Sequence, residues 1–165
     1  MARITAKEAG GANVLAFLDA LAWAEGTSTS KHTLDDGYDV VVGGIDSPNT
    51  FSSYRDHPAV LVQVNRKGLK STAAGRYQLL LRYFRAYKVA LNLPDFSPIS
   101  QDKIAIRQIK EQGALLDVIA GRIGKAVDKC RNIWASLPGA GYGQHEHSLE
   151  DFISHYIAAG GKVAK

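Results

Sequence analysis

The chain is poor in cysteine: Cys130 is the only one among 165 residues. That excludes an internal disulfide and points to folding in a reducing compartment. No apolar run approaches the roughly 20 residues needed to cross a membrane, so stable membrane insertion is not expected. The opening "MARITAKEAGGANV" lacks the apolar core of a signal peptide. There is no GxSxG, which leaves serine-hydrolase chemistry without an anchor. Basic residues never run to four in a row, and nothing matches a helix-turn-helix, RNP or zinc-finger pattern, so nucleic acid is not the expected partner. A net charge of +4 and a pI of about 9.2 nevertheless favour some anionic partner.

What is present suits one soluble domain, at 45% hydrophobic and 22% charged. The first dozen residues, ending in "GGA", read as loosely held. A helix is expected from an N-cap at about Asn13 to Glu25. "YDVVVGG" reads as a strand after an Asp-Gly turn signal, with a second strand near Phe51–Tyr54. From about Ala73 the pattern turns helical, until Pro94. Ser100 is the expected cap of "QDKIAIRQIKEQG", and "LLDVIAG" makes a turn or two. "RIGKAVDKCRNIWASL" places Ile123, Val127, Cys130 and Trp134 on one side. Ser148 with Asp151 begins the last helix, which Gly160-Gly161 ends. Helices and a small sheet segregated along the chain give an α+β class.

The chemistry-bearing feature is "FLDALAWAEGT". Val14, Phe17, Leu18 and Leu21 have the spacing of a core-facing stripe, and Glu25 continues it one turn on. Gly26 is then the expected left-handed residue at the helix end. Desolvation and the negative end of the helix dipole both raise the pKa of such a carboxyl, as a general acid near neutral pH requires. The plainer reading is a glutamate at the stripe edge whose head reaches water.

Other candidates are weaker. Of the five histidines, His145, His147 and His155 invite a metal reading, but "HEH" is neither HExxH nor a helical i, i+4 pair. No metal and no cofactor are expected. "GAGYG" has the glycine density of a phosphate cradle, yet it follows a helix and no Lys-Ser/Thr closes it. It more plausibly presents Tyr142 from a tight corner, to cap the core or to stack on a sugar. Cys130 reads as core. In "KSTAAGRYQ", Ser71 or Thr72 could cap a helix, and Gln78 starts a buried run where an amide needs a specific partner.

Several of these stretches together, "FLDALAWAEGT", "GYDVVVGG", "DHP", "KSTAAGRYQLL", "DFSPISQD" and "NIWASLPGAGYGQ", resemble the phage lambda type endolysins in the same order, from about Asn13 to Gly161. These are lysozyme-like lytic transglycosylases. The resemblance implies a single lysozyme-like domain over residues 1–165: mostly helical, with a small antiparallel β lobe at about 27–60 and a cleft between the lobes. It implies a peptidoglycan glycan strand as partner, cut at the β-1,4 bond between N-acetylmuramic acid and N-acetylglucosamine. Its catalytic glutamate falls on Glu25. Ser71, Gln78 and Tyr142 are the candidate sugar-binding residues. A monomer is expected, held in the host cytoplasm and acting on periplasmic peptidoglycan after release that depends on a holin.

Glycoside hydrolases usually pair two carboxylates. Where T4-type phage lysozymes carry an Asp and a Thr after the Glu, this chain has Leu34 and Val40. Asp35, Asp36, Asp39, Asp46 and Asp56 remain as loose candidates for a displaced partner. Two other readings stay open: a hydrolysing muramidase of the same fold, and a non-catalytic cell-wall-binding module.

Overall fold

Helix α2 (Ala12–Ala24) is the axis of the molecule, and its composition explains why. Val14, Phe17, Leu18 and Leu21 are fully buried, as the stripe predicts, but Ala16, Ala20, Ala22 and Ala24 are buried too. A helix apolar on all sides is wrapped rather than laid against one surface. The structure, a computed structural model, describes residues 1–139 and 147–164. Around α2 pack α1 (Ala6–Ala9), α4 (Pro98–Glu111), α5 (Leu115–Ile119) and α7 (Leu149–Ala158). Phe152 of α7 meets Phe17 edge-on at 5.3 Å. The described residues also include α3 (Leu81–Ala90) and α6 (Ile123–Cys130). None of these helices is long and apolar enough to cross a membrane.

The β region is slight. One antiparallel pair joins β1 (Val62–Gln63) to β2 (Lys70–Ser71), with Val62 opposite Ser71. Single bridges link Val40 to Thr50, Val41 to Ala74 and Ala74 to Leu79. A second core fills the space below this region, built from Ala74, Leu79, Phe84, Leu93, Phe96 and Ile104. His57 of "DHP" belongs to it, 4.8 Å from the Phe96 ring. Its Nε2–H donates to Leu79 O (2.9 Å), while Nδ1 accepts from Ala59 N (3.1 Å). That pairing needs the neutral ring, and burial pushes its pKa down. The class is thus α+β and mostly helical, as expected.

Several details differ from the sequence reading. The first residues are anchored, not loose. Arg3 N and Ile4 N donate to the Asp102 carboxylate (2.7 and 2.8 Å), and Ala2 N donates to Asp19 (2.7 Å). Ile4 is buried, and Thr5 with Glu8 forms a capping box on α1. Asn13 is no cap, because Gly11 precedes α2. Its amide instead bridges the C-terminal segment and the end of α5, accepting from Lys162 N (2.9 Å) and donating to Ile119 O (3.0 Å). The hydrogen-bonded strands lie at 62–71, beyond the expected 27–60, and "YDVVVGG" contributes only bridges. Residues 73–80 are not helical: Gly75 and Gln78 both take positive φ, and α3 waits until Leu81. Thr72 still serves the helix start, its Oγ1 accepting from Leu81 N (3.2 Å). Ser97, not Ser100, precedes α4, with Pro98 in the first turn. Helix α6 stops at Cys130, short of Trp134.

Candidate active site

Glu25 caps the C-terminus of α2. Its N–H donates to Leu21 O (2.9 Å), and Gly26 follows at φ 70°, a conformation a β-carbon disfavours. The chain therefore turns away sharply, leaving the Glu25 carboxyl on the floor of an open cavity of about 510 Å³. Trp23, Gly26 and Thr29 line it on the same side. Val42, Gly43 and Gln78 face them from the β region, and Ala135, Ser136 and His147 complete the wall. So α2 delivers the carboxyl to the meeting of two regions rather than into a core.

Burial pushes the Glu25 carboxyl up to about 7, and a hydrogen bond from Ser136 works against that rise. Ser136 Oγ donates to Glu25 Oε1. The carbonyl end of α2 points the same way as burial, since it disfavours a second negative charge. The group can thus hold a proton at neutral pH and yet release it, the property asked of a general acid.

Neighbours hold the position. Trp23 lies between two imidazoles: His155 of α7 stacks on it at 3.7 Å, and His147 tilts against it at 4.1 Å. Thr27 Oγ1 donates to Arg76 O (2.6 Å), tying the segment after Glu25 to the "AGRYQ" turn. Arg76 itself is buried, and its guanidinium is paired with Asp19 (2.9 Å) and Asp36 (2.9 Å). Gly75 is required there because a β-carbon would collide with the Gln101 side chain, which accepts from Arg76 N (2.9 Å). This anchored turn puts Gln78 at φ 50°, its N–H and its Nε2 both donating to Gly75 O. A non-glycine residue held there is strained, and such strain is kept where the surroundings enforce it.

Of the residues singled out from sequence, Glu25 and Gln78 share this cavity. Ser71 does not: it lines a separate cavity beside Lys70. Tyr142 and His145 lie outside the described residues. Each candidate aspartate has partners elsewhere. Asp35 accepts from Arg3 and Tyr54, Asp36 pairs with Arg76 and the N-terminus, and Asp39 accepts from Thr33 and Leu34 N. Asp46 accepts from Gln63 N, and Asp56 pairs with Lys88. Among the described residues that line the cavity, Glu25 is the sole carboxylate. Sequence reasoning missed Ser136, Trp23 and His147 as its neighbours. Ser136 sits in the quoted "WASLPGAGYGQ", but its partner is 111 residues away, and no local pattern signals that.

A sequence profile of the Endolysin family matches residues 15–163. The endolysin of Escherichia phage P2 is 54% identical over 157 residues, covering 92% of this chain and 95% of that protein. The endolysin of Escherichia phage lambda is 56% identical over 149 residues, covering 90% and 91%. Among solved structures, bacteriophage lambda lysozyme complexed with a chitohexasaccharide matches with a TM-score of 0.85 at 52% identity, over 99% of both chains. A second structure of the lambda lysozyme gives 0.83 at 51%.

Proposed function

The chain belongs to the phage endolysin family and has the lambda lysozyme fold, and from that membership we propose that it cuts peptidoglycan glycan strands as a lytic transglycosylase, with Glu25 as its one acid and base. The lambda relative's complex with a chitohexasaccharide supports a β-1,4-linked N-acetylated glycan in the cavity beside Glu25. Gln78 lines the same cavity, which supports a role for it in contacting the sugar. The observation that carries the reading is the Glu25 carboxyl: proton-retaining, on a cavity floor, with the five nearby-in-sequence aspartates bound into other contacts.

Protonated Glu25 donates to the glycosidic oxygen, and the bond to muramic acid C1 breaks. Positive charge develops at C1 in an oxocarbenium-like state. The ionised Glu25 then takes the proton from the C6 hydroxyl of the same sugar, and that oxygen closes on C1. The product is a 1,6-anhydro end, no water is consumed, and Glu25 regains its proton. Oε1, already accepting from Ser136, is the less basic oxygen, so Oε2 is the one suited to carry the transferred proton.

No metal or cofactor enters this scheme. Before lysis the protein is held in the host cytoplasm, and it reaches the periplasmic peptidoglycan after holin-dependent release, working as a monomer. Mass spectrometry of digested peptidoglycan tests the chemistry. Anhydromuramic ends are expected. Reducing ends would assign the hydrolysing alternative instead.

A further inference from the structure

The Glu25 cavity does not end at Gln78. That residue is also a wall of a second cavity of about 420 Å³, where Tyr83, Gln108, Asn132 and Trp134 bring rings and amides together. Leu80 and Arg82 in turn separate this space from a third, of about 400 Å³, lined by Leu61, Lys70, Ser71, Thr72, Leu81 and Arg85 as well. The three are neighbours through these shared wall residues, in a series leading away from the candidate acid. Their chemistry changes along it. The first holds the acid, the second is a mixture of amides and aromatic rings, and the third is cationic with an apolar side.

Lys70, Arg82 and Arg85 are exposed, and no acidic residue lines their cavity. The arginine and lysine side chains elsewhere that face carboxylates do so in ion pairs: Arg3, Arg76, Lys88, Arg107, Arg122, Lys129 and Arg131. None of the three here is in an ion pair among the described residues. Arg82 has only its own neighbour, lying over the Tyr83 ring at 4.7 Å. Three like charges around one hollow repel one another, so the arrangement favours an anion arriving from outside.

We propose that Lys70, Arg82 and Arg85 form a subsite for the free carboxylates of the peptide stem attached to the glycan strand. The inference rests on the peptidoglycan reading above. A stem peptide carries both alanine methyl groups and free carboxylates. Leu61, Leu80 and Leu81 offer the methyl groups an apolar wall, while the cations take the carboxylates. Ser71 and Thr72 supply hydroxyls to the peptide amides. The stem leaves the sugar through the lactyl group, so a site in the same series of neighbouring cavities is where it would lie. The subsite selects strands that still bear peptides.

The test compares two substrates: peptide-bearing peptidoglycan strands, and the same strands stripped of peptides by an amidase. For the wild type, kcat/KM on each is measured, then repeated for K70A/R85A and for K125E, which lowers the net charge as much by reversing the exposed Lys125 of α6. The expected result is that K70A/R85A lowers the ratio of peptide-bearing to stripped kcat/KM by about tenfold, through KM, the scale of one or two charge-assisted contacts. K125E should leave that ratio in place. An equal loss on both substrates, an equal loss in K125E, or no loss would overturn the subsite. So would a loss of binding to phosphatidylglycerol vesicles with an unchanged ratio, which would assign the cations to a lipid surface. A wild type inactive on both kinds of strand would instead remove the underlying reading of the enzyme.

Discussion

Asp102 and Glu25 are carboxylates that the chain treats oppositely. Asp102, fully buried, accepts four hydrogen bonds: from Arg3 N, Ile4 N, Tyr38 Oη and Tyr77 Oη, all between 2.6 and 2.8 Å. Among the described residues Glu25 accepts one side-chain hydrogen bond, from Ser136, and its pKa is pushed up to about 7. A carboxylate has room for about four donors. At Asp102 the protein fills that capacity, fastening the N-terminal segment and two tyrosines to α4. At Glu25 the described residues fill little of it. Full satisfaction gives stability, and partial satisfaction leaves the proton mobile.

Exchanging each carboxylate for its amide should separate the two roles. Glu25→Gln keeps the shape of the group but removes the titrating proton, so kcat should fall by about 10²- to 10⁴-fold, the usual scale of general acid catalysis. The loss of lysis of outer-membrane-permeabilised cells measures it, and a variant lysing at the wild-type rate would remove Glu25 from the mechanism. The folded protein should gain from the same change. Its Glu25 pKa stands above the ordinary 4.5, so this group's contribution to stability is fully present below about 4.5 and is lost as pH rises through about 7. The melting temperature of Glu25→Gln, relative to wild type, should therefore climb over that window and level off above it.

Asp102→Asn is the opposite case. An amide nitrogen would face donors that have no use for another hydrogen, leaving some of them buried and unsatisfied. The expected cost is about 3 kcal/mol, seen as a fall in Tm of roughly 10 °C. Activity per folded molecule, assayed well below the new Tm, should change little. A stable Asp102→Asn, or one inactive while folded, would break the comparison.

The same contrast explains what the sequence discloses. Glu25 was legible because its signal is local: the Val14, Phe17, Leu18, Leu21 spacing, then Gly26, lie within 13 residues of one another. The α7 start was legible for the same reason, since Ser148 accepts from Asp151 N (3.0 Å) within one turn. The Asp102 cluster was illegible because its partners Arg3 and Ile4 stand 99 and 98 positions away. Nothing in "ITAKEAGG" announces that it is tied down. "AAGRYQ" misleads in a different way. Its alanines and its arginine look helical, but the arginine is a core group whose partners Asp19 and Asp36 are 57 and 40 residues distant. Burying that guanidinium dictates the turn, and with it the unusual Gln78 conformation at the candidate site. The two-residue strands were misplaced because so short a ladder follows its turn, at "NRKG", more than any alternation of side chains.

The finest test adjusts Glu25 without removing it. Ser136→Ala deletes the hydrogen bond that favours the ionised carboxyl, and burial remains, so the pKa of Glu25 should rise further. The first chemical step needs the protonated acid, so wild-type kcat should decline as pH rises through about 7. In the variant this alkaline limb should move to higher pH. At low pH, where both carboxyls are protonated, the rate should differ by less than about tenfold, the scale of one hydrogen bond that also orients the group. The variant can therefore match or exceed the wild type above neutrality while falling short below it. A residue that merely supported the wall would lower kcat by one factor at every pH. If the limb stays where it is, the serine is packing and the single donor on Glu25 has no part in setting its proton affinity. If it moves, the Ser136 hydrogen bond is what brings the proton affinity of Glu25 back toward neutrality against burial.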